Sequence, residues 1–236
     1  KVKDFAGSEF PGISKDKSGK SIIAPAGKSL TLESFIYVPA ETNTNQIIFQ
    51  KLSGSNGFTL GLSGSSSLTS ASIVFGVRSG SVGLVSSASI AKSEFNHVAA
   101  VYDRQVEEGL LKIYVNQSLV ASSSVSGLFG NIDFERSPFY IGSGSSHREI
   151  MPGKLDFIPA STYSGALDDL RVFHSARTEQ EQRSSSHRGI FASEDLKLYF
   201  KFNEPTSSFG DNSVVLDSSG NSLHSRITNF SAYNRS

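Results

Sequence analysis

One turn near the C-terminal end has residue types that could hold a hard cation. Asp217-Ser218-Ser219-Gly220-Asn221 places a carboxylate and a carboxamide four positions apart. Calcium takes oxygen ligands of this kind, together with backbone carbonyls. The same residues also form an ordinary Asx-type turn that needs no metal. The spacing alone lacks a full loop of ligands, so both interpretations stay open.

Side chains that could hydrogen-bond a sugar collect in the long segment Gly142–Tyr163. We expect ligand binding there by His147, Arg148, Asp156 and Tyr163. Long loops in compact domains are typically functional or mobile. The alternatives are a solvated insertion, or a segment ordered by a neighbouring subunit. Each aromatic residue, taken singly, could equally pack inside the fold or at its rim.

Glycoside hydrolysis would need two carboxylates across a cleft. Asp133 and Glu135 lie on one face of a short segment, but Arg136-Ser137-Pro138 interrupts it. Asn203-Glu204-Pro205 would suit a parallel α/β barrel, whose alternating helices are not predicted here. No Gly-x-Ser-x-Gly sequence follows a predicted strand, which argues against a serine hydrolase. We therefore expect no enzyme, and a glycoside hydrolase is the least favoured alternative.

Composition excludes several further classes of protein. The 236 residues include no cysteine, so disulfides and thiolate sites are impossible. Lys and Arg number 22, and so do Asp and Glu. This balance lacks the basic footprint of a nucleic-acid-binding protein. No stretch approaches the ~18 apolar residues of a membrane helix. We expect neither a nucleic-acid partner nor membrane insertion.

Apolar residues recur at every second position through most of the chain, even within the serine-rich stretch 53–93. This period is typical of strands with one buried face. The predicted strands are Ser21–Ala24, Leu30–Val38, Gln46–Lys51, Phe58–Leu62, Ile73–Arg78, His97–Tyr102, Leu111–Val115, Ser118–Ser122, Phe139–Ile141, Gly165–Phe173 and Leu196–Phe202. Asn116-Gln117 between two of them is typical of a hairpin tip, because Asn tolerates positive φ.

A single short helix is predicted near 178–186. Thr178-Glu179-Gln180-Glu181 matches the capping box, in which the first and last side chains satisfy each other's backbone donors. Acidic residues in the first turn also suit the helix dipole. One helix against eleven strands predicts an all-β protein built from two stacked antiparallel layers.

Four segments together resemble laminin-G-like, concanavalin A-like jelly-roll domains. They are Leu30–Pro39, Phe95–Asp103, Leu111–Val120 and Gly165–Glu181, and the combined pattern covers roughly residues 20–182. The resemblance implies an all-β, two-sheet antiparallel jelly-roll sandwich. Phe95, and the early strand with Phe35, stand where relatives often carry Trp. We interpret both replacements as core substitutions.

The resemblance also implies a calcium site. In related domains the equivalent turn and the acidic pair of the closing strand approach a calcium ion. This role would fall on Asp168, Asp217 and Asn221, with Asp169 as a further candidate. Because Asp168 has the same strand parity as Leu170, a partly buried carboxylate that caps backbone donors is the alternative.

The C-terminal part resembles the opening strand and turn of such domains, although it stands at the end of this chain. The matching segments are Leu196–Glu204 and Val215–His224. About 35 residues cannot form an independent core of this type. We therefore predict a jelly-roll domain over 1–189, and a strand and tail over 190–236 that packs on the same sandwich or on a neighbouring subunit.

The expected function is a non-catalytic binding or adhesion module that recognises a glycan or a protein through its rim loops. The alternative is a structural or decoration subunit of a large assembly, such as a virion or surface appendage. In that case the tail would add a strand to a neighbouring subunit. Both hypotheses predict an extracellular, virion or cell-surface location. The fold does not decide between them, because function lies in the site.

Overall fold

The computed structural model describes residues 21–54, 56–104, 109–124, 130–132, 137–147, 157–204 and 213–227. Its elements, in chain order, are β1 (Leu30–Tyr37), β2 (Gln46–Ser53), β3 (Asn56–Ser63), β4 (Ser70–Ser79), β5 (Val82–Ala91), β6 (Phe95–Asp103), β7 (Leu110–Val115), β8 (Ser118–Ser124), β9 (Tyr140–Ile141), β10 (Ser161–Thr162), β11 (Ala166–Phe173), α1 (Glu179–Ser185), β12 (Leu196–Phe200), β13 (Val214–Val215) and β14 (Ser225–Arg226). The predicted all-β fold with one short helix is confirmed.

The strands form two large sheets that stack as a sandwich. The first has the order β12-β11-β1-β6-β7-β8, with antiparallel neighbours throughout, and we name it the helix-bearing sheet. The second has the order β10-β2-β3-β4-β5, and β9 also pairs with β2. We name it the loop-covered sheet. The short strand β10 runs parallel to β2 over two residue pairs.

The core lies between the two sheets and follows the predicted alternation. Leu30, Leu32 and Ile36 of β1 point into it and are fully buried. The serine-rich stretch contributes three strands, among them β5, which buries Leu84 and Ile90. Burial of every second residue gives each strand one apolar face. The removal of these faces from water stabilises the packing of the two sheets. Serine therefore occupies outward faces and turns, as predicted.

Two local predictions have different outcomes. Asn116 and Gln117 both have positive φ, at 50° and 62°, and join β7 to β8 as a two-residue hairpin. Positive φ at both central residues is the type I′ geometry that matches strand twist. The predicted strand Ser21–Ala24 is wrong, because this segment forms bends instead. Ile23 within it is nevertheless fully buried in the core.

The C-terminal segment adds an edge strand to the helix-bearing sheet. β12 pairs with β11 in antiparallel register, with Leu198 opposite Val172 and Phe200 opposite Leu170. Val215 and Leu223 then pack against the core cluster. Among the described residues, no helix is long and apolar enough to cross a membrane.

Candidate functional site

The segment after β11 folds back over the outer face of the helix-bearing sheet. Its helix begins with the predicted capping box: Glu181 N donates to Thr178 Oγ1 at 3.3 Å, and Thr178 N donates to Glu181 Oε2 at 2.7 Å. Ala176, just before the helix, packs against a small apolar cluster on β6 and β7 that includes Ala99 and Tyr114. The helix is thereby fixed on the sheet.

A buried charge cluster lies under this helix. Glu33 of β1 is 1% exposed and is its centre. One carboxylate oxygen, Oε1, lies 3.1 Å from His97 Nε2 and 3.2 Å from Arg171 Nη1. The other oxygen lies 3.2 Å from Arg177 Nε. Buried charges need such partners, because an isolated ion in this environment would be very costly. The cluster pins three separate segments to one carboxylate.

The pKa of Glu33 depends on the opposing effects of burial and of its neighbours in this cluster. Burial alone would raise the pKa. The hydrogen bond with His97 and the positive charges of Arg177 and Arg171 outweigh burial, so the pKa of Glu33 lies below its ordinary value. Opposite charges within a few ångströms favour the ionised form in this way. Glu33 is therefore an anion that holds its cationic neighbours in place.

Arg171 fastens the end of the helix to the sheet. Its Nη1 donates to Ser185 O at 2.9 Å, and its Nη2 donates to Arg188 O at 2.8 Å. A nearby cation stabilises the unpaired backbone carbonyls at a helix C-terminus. These two bonds fix the turn Ser186–Gly189, which we name the lid turn.

A β-bulge in β11 brings two carboxylates to the lid turn. Glu33 pairs with Arg171, whereas Phe35 pairs with Asp168, so the pairing gains one residue on β11. Asp169 within the bulge has φ +52°. Bulged residues often adopt this conformation and re-aim their side chains. Asp169 Oδ2 consequently lies 3.0 Å from Arg171 Nη2. The bulge also changes strand parity, so Asp168 is exposed and does not share the inner face of Leu170.

The resulting depression is a pocket of about 370 Å³, which we name the platform pocket. Its walls are the aromatic rings of Phe35 and Phe95, the carboxylates of Asp168 and Asp169, and the lid turn. Phe95 is 51% exposed. Its ring contacts Tyr37 with a centroid separation of 5.5 Å. Ligand pockets in proteins have similar volumes and combine apolar walls with a few polar groups.

Ser186 and Asp168 supply polar groups at the wall of this pocket. Ser186 is 1% exposed, and its Oγ has no hydrogen-bond partner among the described residues. A buried hydroxyl without a partner is costly unless water or a ligand supplies one. Burial and the adjacent charge of Asp169 raise the pKa of Asp168. The pocket therefore combines hydroxyl, carboxylate and aromatic surfaces.

Two of the residues predicted to bind a ligand, His147 and Tyr163, lie elsewhere, around the edge of β2. His147 is buried and forms a two-way backbone bridge with Phe157, whose ring lies over Gly61 of β3 so closely that a Cβ there would come within 2.6 Å. The Tyr163 hydroxyl donates to Tyr37 O at 2.6 Å. Burial raises the pKa of Tyr163.

His147 and Tyr163, the two of these four residues that the structure describes, thus both make contacts within the fold. Arg148 and Asp156 lie outside the described residues, as do Asp133 and Glu135. Ligand binding by His147, Arg148, Asp156 and Tyr163 stays a prediction.

The predicted calcium turn is organised by hydrogen bonds. Asp217 Oδ1 accepts from the backbone N–H of Tyr199 and of Ser219, each at 2.9 Å. Its Oδ2 accepts from Leu223 N at 2.9 Å and from Ser219 Oγ at 2.8 Å. Asn221 Nδ2 donates to backbone carbonyls of β12 at 3.0 and 3.1 Å. Asp217 therefore accepts the hydrogen bonds that hold this turn against β12.

Asp168 stands apart from that turn. Asp217 bridges to Phe200 of β12, and Phe200 in turn pairs with Leu170 of β11. One strand therefore separates Asp217 from the strand of Asp168, a spacing of about 10 Å. Among the described residues, no group of three or more His, Asp or Glu side chains could hold a metal ion. Hydrogen bonds within the fold engage both carboxylate oxygens of Asp217, and calcium binding at Asp168, Asp217 and Asn221 stays a prediction.

Sequence reasoning missed most of the platform pocket. Phe95 was interpreted as a core substitution, but it is half exposed on the outer face of β6. Glu33 and Arg171 show a signal that could have found the cluster: each is a charged residue next to apolar residues within a predicted strand. The lid turn has no comparable signal, because only the tertiary fold brings it to Phe35.

Comparison with known proteins agrees with this architecture. A laminin-G family model, described as the concanavalin A-like lectin/glucanases superfamily, matches residues 17–181. A search of curated proteins found no significant match.

Among solved structures, a candidate carbohydrate-binding protein from Bacteroides ovatus superposes with a TM-score of 0.55 at 21% identity. The alignment covers 94% of this chain and 56% of that protein, so this chain spans just over half of its length. A heptameric SAP-like pentraxin from Limulus polyphemus gives 0.51 at 21% identity, covering 79% of this chain and 82% of the pentraxin. These likenesses establish a shared fold.

Proposed function

The chain belongs to the concanavalin A-like lectin/glucanases superfamily, and we propose that it is a non-catalytic module that binds a glycan in the platform pocket. The observation that carries the proposal is the half-exposed ring of Phe95 beside unpartnered Ser186 Oγ and the carboxylate of Asp168. A sugar presents an apolar C–H face and a ring of hydroxyls. An aromatic plate and oxygen acceptors suit those two surfaces respectively.

Binding fits this pocket better than hydrolysis does. The β-bulge brings Asp168 and Asp169 to the same pocket wall although they are consecutive in β11, so both carboxylates approach a ligand from the same side. Glycoside hydrolysis uses two carboxylates that flank the scissile bond. Asp169 is also engaged with Arg171, an arrangement that supports the walls of the pocket. The carboxylates therefore act as hydrogen-bond acceptors in the proposed complex.

The Bacteroides ovatus protein, described as a candidate carbohydrate binder, is consistent with this function. An extracellular or cell-surface location would give such a module access to glycans and is part of the same proposal. One argument for the alternative of a decoration subunit was a tail that would lie on a neighbouring chain. Because β12 pairs with β11 of its own chain, that observation does not support it.

The test is a glycan array probed with the wild-type chain and with two variants. Phe95→Ala removes the platform, and Val120→Ala removes an equally exposed apolar side chain from β8, at the far edge of the same sheet. We expect defined glycan binding that Val120→Ala retains and Phe95→Ala loses by at least roughly tenfold in affinity. Equal binding by both variants, an array without bound glycan, or release of hydrolysed sugar from the bound glycans would each overturn the proposal.

A further inference from the structure

The ammonium group of Lys92 is buried in a cage of backbone carbonyls at the rim of the sandwich. The residue is 5% exposed. Its Nζ lies 2.7 to 3.0 Å from four oxygens, those of Ala40, Thr42, Ser65 and Ser67. An ammonium has three N–H donors, so four acceptors surround it much as they would surround a bound monovalent cation. Calcium takes oxygen ligands at about 2.3–2.6 Å, so this cage is too wide for it.

The cage joins two rim loops into one body. Ala40 and Thr42 belong to the connection from β1 to β2, and Ser65 and Ser67 belong to the connection from β3 to β4. The loops also touch directly, since a Cβ at Gly64 would come within 2.2 Å of Thr44 N. The backbone carbonyls of the connection from β1 to β2 point inward to the Lys92 ammonium group. Side chains of this connection can therefore face outward.

Those side chains line a second depression of about 300 Å³, which we name the rim pocket. It is formed by Pro39, Glu41, the run Thr42–Thr44, Gln46 and Ser164. Gln46 and Ser164 close its far side reciprocally: Ser164 N donates to Gln46 Oε1 at 3.0 Å, and Gln46 Nε2 donates to Ser164 Oγ at 3.2 Å. The walls therefore carry hydroxyls and amides on a fixed frame.

We propose that the rim pocket is a second binding site, for a neutral, hydroxyl-rich ligand, and that Lys92 is its positioning residue. The lining side chains are mainly hydroxyls and amides, which hydrogen-bond a neutral polyol as both donors and acceptors. Lys92 holds the loop from behind and does not touch the ligand. Preorganisation of this kind improves affinity by removing the cost of ordering the loop on binding. The site is distinct from the platform pocket and goes beyond the proposed function.

The first test is a titration of the wild-type chain with methyl glycosides of neutral hexoses, followed by amide NMR shifts. We expect saturable shifts at residues 41–46 and 164, separate from any at 35, 95 and 168. Asn43→Ala changes an exposed side chain outside the Lys92 cage and is expected to weaken the rim shifts by roughly tenfold in affinity. Rim amides that do not respond in the wild type would overturn the rim site, whatever the platform amides show.

The second test addresses Lys92 itself. Lys92→Met keeps the length of the side chain and removes its charge, and Lys28→Met makes the same change at an exposed lysine. We expect only the first variant to lose the rim shifts, while shifts at the platform pocket persist. In Lys92→Ala, potassium or ethylammonium chloride should refill the cage and restore rim binding, whereas sodium chloride at equal ionic strength is the control. Rim binding that survives Lys92→Met, or that neither cation restores, would overturn the role of Lys92.

Discussion

At the scale of single residues, the platform pocket depends on one buried carboxylate. Glu33 does not line the pocket, yet it is in contact with His97, Arg171 and Arg177. Arg171 in turn holds the lid turn and Asp169. A change at Glu33 should therefore reach the pocket through its neighbours, and Glu33 is a positioning residue in this sense.

Glu33→Gln is expected to destabilise the fold by about 3–5 kcal/mol. It keeps the shape of the side chain but leaves two buried guanidinium groups without their shared anion. Urea denaturation measures the change. Glu179→Gln is the control, because its ion pair with Arg183 is solvent-exposed and is expected to contribute about 0.5 kcal/mol. Equal effects of the two substitutions would show that the buried cluster contributes no more than a surface pair.

At the scale of elements, the strand pattern was predictable and the bulge was not. Alternation between apolar and polar positions identified most strands, because each strand buries one face. The bounds of strand β5 were not predicted, although its serine-rich region was expected to contain strands. The reason is that Ser86 and Ala88, which are small, occupy its inner face, where larger apolar residues would have marked the alternation. An extra residue in β11 leaves no mark on local composition, so parity counting placed Asp168 on the wrong face.

The helix was predictable because its start signal is local. The capping box at Thr178 involves four consecutive residues and needs no tertiary information. What the helix covers could not be predicted in the same way. The contact between Arg171 and the carbonyls of Ser185 and Arg188 joins a strand to a turn through the fold alone. The platform pocket depends on both local sequence and tertiary contacts. For this reason only its acidic pair was identified from the sequence as candidate site residues.

Thr178→Ala should loosen this helix by about 1 kcal/mol, a typical loss for an N-cap side chain. Thr178→Ser keeps the hydroxyl that accepts from Glu181 N and should retain nearly all of the stability. Amide hydrogen exchange over 181–188 measures the local opening. We expect faster exchange there in Thr178→Ala and unchanged exchange in β3 and β4. Uniformly faster exchange throughout the chain would instead indicate that the cap stabilises the whole fold rather than the helix.

At the scale of the whole molecule, the two pockets lie near the same end of β1. Tyr37, the last residue of β1, pairs with Ala166 on one side and with Phe95 of the platform on the other. The chain then enters the rim loop at Pro39. The Tyr163 hydroxyl donates to Tyr37 O and so ties the connection before β11 to the same point. The sandwich thereby places both proposed binding pockets near one end of β1.

The stability of the whole chain should fall as the pH decreases from about 6.5 to 4. His147 is buried and His174 is half-buried, and desolvation lowers the pKa of each to about 4, from an ordinary 6.5. Between these values the unfolded chain binds protons that the folded chain does not, so each histidine contributes about 1.4 kcal/mol of lost stability per pH unit. The contribution is fully present above pH 6.5. Glu33, whose pKa is depressed below its ordinary 4.5, adds to the loss only below about pH 4.5, where the unfolded chain takes up a proton that the folded chain does not.

Urea denaturation in half-unit pH steps measures this dependence. The double variant His147→Gln with His174→Gln should flatten the curve between pH 6.5 and about 4.5, whatever its absolute stability, since the slope reports proton uptake alone. His187→Gln, which changes an exposed histidine beside the platform, should leave the slope as it is in the wild type. A wild-type curve that is flat across this range, or a double variant that keeps the full slope, would mean that the two histidines already bind protons in the folded chain.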